Sequence, residues 1–308
     1  MSATAALCQV ALSVRDVDAT VRFYAGVFGF VPSGGTSLFR GPIADRIAAV
    51  PDVRNRVRWM NDRDPSFQLE LFQFENPPYR RPADKGPNAL GFRKIGIWVQ
   101  DYEGVASRLR ENGANVLSET PDDGTGRRLC CEDPDGVLLE VFERDPGPPD
   151  AQGGGLFDLP VRTRTVTLSV RSLHEAERYL GRVVGLARHP ASLRAPEKNV
   201  RSAVFVAGSH LLEVVEHDPP GEARADATIG DAGIYHCALR FPDAEALDRA
   251  HADALAASFP ANSAPVHLWV ATIVYLRPLA NAIVEYVHFR SWIGCLIGFR
   301  RHEPLLPR

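Results

Sequence analysis

The sequence predicts an α+β chain made of four copies of one unit, each a strand, a helix and a few further strands, arranged as two pairs. Three observations predict this class: a repeat relating the two halves, a strand-to-helix transition in every unit, and a carboxylate inside the apolar last strand of each unit. With 308 residues the chain is long enough for about two domains. Hydrophobic residues make up 45% and charged residues 24%, which excludes a disordered, collagen-like or coiled-coil chain.

A repeat without gaps relates the starts of the two halves. Residues 11–30, ALSVRDVDATVRFYAGVFGF, align with residues 167–186, TLSVRSLHEAERYLGRVVGL. Each copy begins as a β-type run and continues with helical spacing of its apolar residues. Gly29 and Gly185 fall where each helix ends, so both are expected to be C-cap glycines.

A second unit follows in each half. Residues 94–114 and 236–256 each read as a strand followed by an amphipathic helix that opens at Asp101 or Asp243. Between the halves, residues 148–160 are rich in proline and glycine and predict a linker. The predicted domains are therefore residues 1–147 (units 1 and 2) and 161–290 (units 3 and 4), followed by a tail over 291–308.

The last strand of every unit is apolar except for one carboxylate. These four residues are Glu70, Glu140, Glu213 and Glu285. A carboxylate in such a strand is expected to face a core, where burial without a partner costs several kcal/mol. A single carboxylate of this kind is readily explained as a structural glutamate with hydrogen-bond partners, or as a residue on a solvent-exposed face of the strand. Four at equivalent positions favour a designed interior site.

Charge and cysteine content limit the partners. The formal net charge is −3, which gives no electrostatic reason to expect nucleic acid or an anionic membrane. No apolar run is long enough to span a bilayer, and no signal peptide is visible. The five cysteines form no CxxC or zinc pattern, so we expect a reduced, cytoplasmic protein. With no nucleic acid or membrane indicated, a small-molecule substrate is the expected partner. Assembly into a homo-oligomer is compatible with the sequence.

The stretches SVRDVDATVRFYAGVFGF and DPDGVLLEVF resemble the vicinal oxygen chelate superfamily. This superfamily includes glyoxalase I, methylmalonyl-CoA epimerase, the bleomycin- and fosfomycin-resistance proteins and the extradiol dioxygenases. The resemblance covers nearly the whole chain and implies βαβββ modules that close in pairs into incomplete barrels around a divalent metal. Four modules in one chain is the layout of the extradiol dioxygenases, which hold the metal in the C-terminal pair.

The resemblance implies one ligand set in each half of the chain. In the C-terminal half the equivalent positions are Thr165, Glu213, His236 and Glu285. Fe(II) is the first expectation there, with Mn(II), Ni(II), Zn(II) or no metal as alternatives. Thr165 stands where extradiol enzymes have a histidine, so Glu213 either completes the set with His236 and Glu285 or the metal is lost.

In the N-terminal half the same positions are Gln9, Glu70, Lys94 and Glu140. A protonated lysine has no lone pair for a metal. We therefore expect Lys94 to neutralise the two carboxylates and this half to be structural. A catalytic lysine is the alternative, but flanking carboxylates oppose the depressed pKa that it needs.

Three further residues are candidates under the extradiol resemblance. Tyr275 stands ten residues before Glu285 and would position substrate beside Thr165; His210 would move protons, and His267 would reach the cavity. Each also reads as an ordinary strand aromatic or surface residue. The first expectation is ring cleavage of a catechol-like substrate. The alternatives are glyoxalase- or epimerase-type isomerase or lyase chemistry, an enzyme without metal, and a resistance protein that sequesters a small molecule.

Overall fold

The structure is a computed structural model that describes residues 5–82, 86, 88–122, 124–148, 159–190, 192–193, 198–279, 282–290 and 299. Most of the predicted linker, the predicted tail apart from Phe299, and Cys295 lie outside the described residues. None of the described helices combines the length and apolar character needed to cross a membrane.

The four predicted units are all present as modules, and each opens with a strand and a helix and closes with three strands. Module 1 comprises β1 (Ala6–Ser13), α1 (Val17–Phe23), β2 (Val31–Arg40), α2 (Pro42–Ala48), β3 (Arg54–Asn61) and β4 (Gln68–Asn76). Module 2 comprises β5 (Gly91–Val99), α3 (Tyr102–Glu111), β6 (Val116–Thr120), β7 (Arg128–Glu132) and β8 (Leu138–Phe142).

The second half repeats this order. Module 3 comprises β9 (Val161–Val170), α4 (Leu173–Glu177), β10 (Ala187–His189), β11 (Val200–Ala207) and β12 (His210–His217). Module 4 comprises β13 (Gly233–Arg240), α5 (Ala244–Ala256), β14 (Val266–His267), β15 (Ala271–Leu279) and β16 (Ala282–Phe289). The α+β prediction is confirmed.

The helix ends lie where the sequence signals place them. The Asp101 and Asp243 side chains accept hydrogen bonds from backbone N–H groups of the first turns of α3 and α5, which stabilises each helix by about 1 kcal/mol. Helices α1 and α4 continue as π-helical turns over Tyr24–Phe28 and Arg178–Val183. Gly29 and Gly185 follow these turns with φ of +85° and +82°, a conformation that glycine adopts without steric cost.

The modules pair differently from the prediction. Sheet 1 has the strand order β14-β15-β16-β13-β1-β4-β3-β2, and sheet 2 has the order β10-β11-β12-β9-β5-β8-β7-β6. Module 1 therefore shares a sheet with module 4, and module 2 with module 3, because β1 pairs with β13 and β5 pairs with β9. The expected pairing of modules 1 with 2 and 3 with 4 is wrong, and the predicted linker does not separate the two sheets.

Strand alternation divides the apolar residues between two faces. Val10 and Leu12 of β1 belong to a large core that spans both sheets and packs against α1, α3, α4 and α5. Ala11 points the other way, into a smaller cluster on the concave face of sheet 1 with Trp59 and Tyr275. Because successive strand residues face opposite sides, Gln9 shares this concave face with Ala11.

Candidate metal centre on the concave face of sheet 1

The two central pairs of strands in sheet 1 bring four polar side chains together. Ala11 of β1 lies opposite His236 of β13 and beside Glu70 of β4, and Ala238 of β13 lies beside Glu285 of β16. Gln9, Glu70 and Glu285 line one cavity on this face. The set combines two residues from each end of the chain.

His236 lies between the two carboxylates. Its Nε2 atom is 3.0 Å from Glu285 Oε2 and 3.6 Å from Glu70 Oε2. One ligand atom from each of the three residues lies within 4.8 Å of the others, a spacing that suits donors each about 2.0–2.2 Å from one cation. His236 is fully buried, and Glu70 and Glu285 are nearly so.

Neighbouring side chains fix two of these groups. Trp59 of β3 donates its indole N–H to Glu70 Oε1 at 2.9 Å, which leaves Oε2 directed at His236. Gln9 donates through Nε2 to Gln68 Oε1 at 2.6 Å. The buried Gln9 Oε1 atom receives no hydrogen bond from any residue in the described ranges.

Burial and the paired charges shift the ionisation of this set. Burial acts to lower the pKa of His236, but its close contacts with the carboxylates of Glu285 and Glu70 and their negative charges outweigh this and raise the pKa to about 9. The pKa of Glu285 is raised by burial, against the opposing effect of His236. In the protein without a cation, His236 therefore carries a proton at neutral pH.

This donor set fits a divalent cation. An imidazole, two carboxylates and an amide oxygen that lacks a hydrogen-bond donor together match the preferences of Fe(II), Mn(II), Ni(II) or Zn(II). The buried carboxylates also need a positive charge nearby. Glu70, His236 and Glu285 are the only such histidine, cysteine and acidic cluster among the described residues.

Above the donor set lies a cavity of about 220 Å³. Apart from Gln9, Ser37, Glu70 and Glu285, its lining is apolar or aromatic: Phe39, Ile47, Val57, Trp59, Phe72, Leu268, Ile273, Tyr275 and Phe289. The ring of Tyr275 lies against that of His236 at a tilted angle, with ring centroids 4.9 Å apart. Tyr275, which the resemblance suggested as a residue that positions substrate, therefore faces this cavity.

His210 and His267 lie elsewhere. His210 begins β12 in sheet 2, is fully buried, and contacts Ser209 Oγ through Nδ1 and the ring of Phe67; burial lowers its pKa to about 4, against the charge of nearby Asp64. His267 is exposed and contacts Thr272. Neither histidine lines the cavity, so their predicted catalytic roles stay untested predictions.

The predicted grouping of ligands is corrected by the sheet order. Glu213 lies in sheet 2, not beside His236, and accepts a hydrogen bond from Thr167 Oγ1 at 2.9 Å. Glu70 takes the place that was expected for Glu213. The predicted second set is divided in the same way, because Gln9 and Glu70 belong to sheet 1, whereas Lys94 and Glu140 belong to sheet 2.

Sheet 2 gathers the remaining four residues of the two predicted sets. Lys94 Nζ lies 2.5 Å from Glu140 Oε2, and Arg128 lies 3.9 Å from the same carboxylate. Thr165 is buried over Gly96, where an added Cβ would lie 2.0 Å from Thr165 Oγ1. A lysine ammonium thus contacts the carboxylate at the position that corresponds to Glu285.

Sequence reasoning missed most of the cavity wall. Phe39, Trp59 and Phe72 are ordinary apolar strand residues in the sequence, and no motif marks them. The pairing register of β3 and β4 was the signal that could have found Trp59. Trp59 lies opposite Glu70 in this antiparallel pair, so a correct assignment of the hairpin would have placed its indole beside the carboxylate that was predicted to be buried.

The fold is that of the vicinal oxygen chelate class, as the resemblance implied. Residues 6–141, which cover modules 1 and 2 almost entirely, match the model of the Glyoxalase/Bleomycin resistance protein/Dioxygenase superfamily. A Brassica oleracea var. gemmifera protein named "Putative lactoylglutathione lyase" is 25% identical over 242 residues, 74% of this chain and 74% of that protein. An Arabidopsis thaliana protein named "Probable lactoylglutathione lyase, chloroplastic" is 27% identical over 144 residues, 46% of this chain and 37% of that protein.

Two solved structures have the same tandem fold over nearly the whole chain. Glyoxalase I from Zea mays is 17% identical with a TM-score of 0.64, covering 92% of each chain. A Bacillus subtilis protein described as a "putative dioxygenase" is 15% identical with a TM-score of 0.64, covering 94% of this chain and 86% of its own. At these identities the likeness shows the fold alone.

Proposed function

We propose that this protein is a divalent-metal-dependent isomerase or lyase that moves a proton between neighbouring carbons of a small enolisable substrate. The observation that carries the proposal is the convergence of two carboxylates, Glu70 and Glu285, on the single histidine His236. The names of the curated relatives support the same chemistry. The first expectation from the sequence, ring cleavage, loses support because the site contains one histidine and His210 lies in the other sheet.

Each residue of the set has a part in this chemistry. Gln9, Glu70, His236 and Glu285 would hold the cation. When bound, it would polarise the oxygens of the substrate and so acidify the adjacent C–H group. A carboxylate oxygen of Glu70 or Glu285 would take that proton and return it to the neighbouring carbon, as general base and then general acid.

The walls of the cavity contribute to the same reaction. Trp59 holds the Glu70 carboxylate in one orientation through its indole N–H. The apolar lining limits the water around the carboxylates, which strengthens their electrostatic interactions with a substrate. The donor set accepts Fe(II), Mn(II), Ni(II) or Zn(II), and Fe(II), the metal expected from the sequence, is one of these four.

Extradiol-type dioxygenation is the second candidate. Tyr275 favours it, because its side chain faces the cavity next to His236 at the spacing from Glu285 that suggested this chemistry. A catechol would then be the substrate, and molecular oxygen would be consumed.

Metal content and proton exchange test the proposal together. Protein purified anaerobically is expected to contain about one Fe, Mn, Ni or Zn per chain, and His236→Ala is expected to contain none. With the metal bound, the α-protons of 2-hydroxyacetophenone are expected to exchange with solvent deuterium, as followed by NMR. Oxygen uptake with catechol in place of exchange would favour dioxygenation. If the wild-type protein contained no metal, or bound these small molecules tightly without turning them over, both proposed enzymatic functions would be contradicted.

A further inference from the structure

We propose that the substrate of this site has a compact apolar body about the size of one aromatic ring and carries no charged peptide portion. This inference rests on the proposed function, because it takes the metal end of the substrate to lie at Glu70, His236 and Glu285. It differs from the substrate in the names of the curated relatives, since lactoylglutathione carries a tripeptide with two carboxylates and an ammonium group.

The polarity of the cavity is divided between its floor and its walls. The floor holds the donor set, and above it the walls come from both edges of sheet 1. Phe39 of β2 and Val57 of β3 lie on one side, and Ile273 of β15 and Phe289 of β16 lie on the other. A ligand bound by its oxygens at the floor is therefore surrounded by apolar atoms.

Helix α2 holds one wall in place. Its residue Ile47 lines the cavity, and Asn262 donates its side-chain N–H₂ to the carbonyl oxygens of Ile47 and Ala48 at 3.1 and 3.2 Å. These bonds tie α2 of module 1 to the segment between α5 and β14 of module 4. The apolar shape is therefore present before a ligand enters.

The size of the cavity suits a small ligand. An apolar cavity of roughly 150 Å³ is enough to hold a benzene molecule, and pockets for drug-sized ligands begin at about 300 Å³. The cavity here is about 220 Å³, which accommodates one ring together with two adjacent oxygens. A tripeptide conjugate would extend beyond these walls.

The charges around the cavity disfavour an anionic group within it. No lysine or arginine is present among the described residues that line it. The arginines on β3 next to the cavity wall, Arg56 and Arg58, alternate with Val57 and Trp59 and pair with Asp18 on the opposite face. A peptide carboxylate placed in the cavity would lose its hydration and gain no cation, which costs several kcal/mol.

Matched pairs of chelating probes test this inference by binding rather than turnover. Benzohydroxamic acid and acetohydroxamic acid present the same two oxygens to a metal and differ in a phenyl group against a methyl group. For the metal-loaded protein, calorimetry is expected to show binding of the phenyl probe at least about tenfold tighter. S-Lactoylglutathione, titrated in the same way, is expected to bind more weakly than benzohydroxamic acid.

Neighbouring residues of β2 provide the variant and its control. Phe39 lines the cavity, whereas Leu38 is 55% exposed and is not part of the lining. Phe39→Ala is expected to reduce the preference for the phenyl probe by about tenfold and to keep its metal content. Leu38→Ala is expected to keep the wild-type preference. If Phe39→Ala does not fold, Phe39→Leu provides the same comparison with a smaller expected change.

The outcomes separate this inference from the proposed function. A metal-loaded protein that binds both hydroxamates equally, or that keeps its phenyl preference in Phe39→Ala, overturns the substrate class while the metal site stands. Tight binding of S-lactoylglutathione also overturns the substrate class. A wild-type protein that binds no metal at His236 overturns the proposed function and this inference with it.

Discussion

The concave faces of the two sheets present the same four positions with different chemistry. On sheet 1 these positions are Gln9, Glu70, His236 and Glu285, and on sheet 2 they are Thr165, Glu213, Lys94 and Glu140. Both faces keep the two carboxylates and differ in the other two residues. The single exchange of His236 for Lys94 decides whether a face offers a lone pair to a metal or fills the same position with a fixed positive charge.

The difference shows how two copies of one fold can take different roles, one as a candidate metal site and the other as a structural face. Two carboxylates that are largely withdrawn from solvent on one strand-paired face are stabilised by a compensating positive charge. On sheet 2 the Lys94 ammonium supplies it directly at Glu140. On sheet 1 the proton on His236 supplies it in the protein without metal, and a divalent cation can replace that proton. The residue at this one position therefore sets how the two carboxylates are neutralised.

The largest effect is expected from making sheet 1 resemble sheet 2. We expect His236→Lys to fold, because Lys94 occupies the equivalent position on sheet 2 beside Glu140. Its metal content is expected to fall from about one per chain to none, and proton-exchange activity by at least about 10²–10⁴-fold. Elemental analysis and NMR exchange measure both quantities, with circular dichroism as the folding control. A variant that retains its metal would contradict the equivalence of the two faces.

The equivalence itself was only partly visible in the sequence. The repeat of residues 11–30 in residues 167–186, the capping residues and the four strand carboxylates are local patterns, and each was predicted. Which modules share a sheet is a long-range property. The opening strands of the four modules present alternate apolar residues to the large core in the same way, so their pattern does not specify a partner.

Contacts between the two sheets also involve loop residues whose partners are distant in the sequence. Tyr24 donates its hydroxyl to Asp133 in the loop before β8, and Asp62 in the loop before β4 accepts the backbone N–H of Thr163. These buried carboxylates join module 1 to modules 2 and 3. In the sequence they read as ordinary turn residues. The Glu70–His236 contact depends on the pairing of β1 with β13, which the sequence pattern does not specify.

The second largest effect is expected from a change of pH, which should alter metal binding at the donor set of sheet 1. Because the pKa of His236 is raised to about 9, metal must displace a proton from this side chain at neutral pH. The apparent affinity for Zn(II) is therefore expected to rise at least about tenfold per pH unit below pH 9, or about a hundredfold between pH 6 and 8. Competition with a chelator of known pH dependence measures this. Affinity that is independent of pH would show that His236 is unprotonated or is not a ligand.

A smaller effect is expected at the side chain that orients Glu70. Trp59→Phe keeps an aromatic ring in the cavity wall but removes the N–H that donates to Glu70 Oε1. Loss of such a supporting hydrogen bond reduces metal affinity or activity by roughly 10–100-fold, and we expect the lower end because the other three ligands remain. Phe72→Leu, which changes the same wall without touching this bond, is the control. Equal losses in the two variants would assign the effect to packing.

The smallest effect on activity is expected on sheet 2. Lys94→Met removes the ammonium beside Glu140 and leaves Arg128 as the nearest described cation, at 3.9 Å. Lys94 and Glu140 keep 17% and 18% of their side chains exposed, so the cost is expected to stay below that of breaking a fully buried pair, at about 1–2 kcal/mol in the free energy of unfolding. Urea unfolding measures this, and activity is expected to stay within about twofold of wild type.

The double variant Lys94→Met with Glu140→Gln completes this test of a structural face. Neutralising Glu140 removes the charge that Lys94 balances, so part of the lost stability is expected to return. If instead Lys94→Met abolished proton exchange while the protein stayed folded and kept its metal, Lys94 would be a catalytic residue. Both faces would then be catalytic. The difference between His236 and Lys94 would separate two active sites, and sheet 2 would not be a purely structural counterpart of sheet 1.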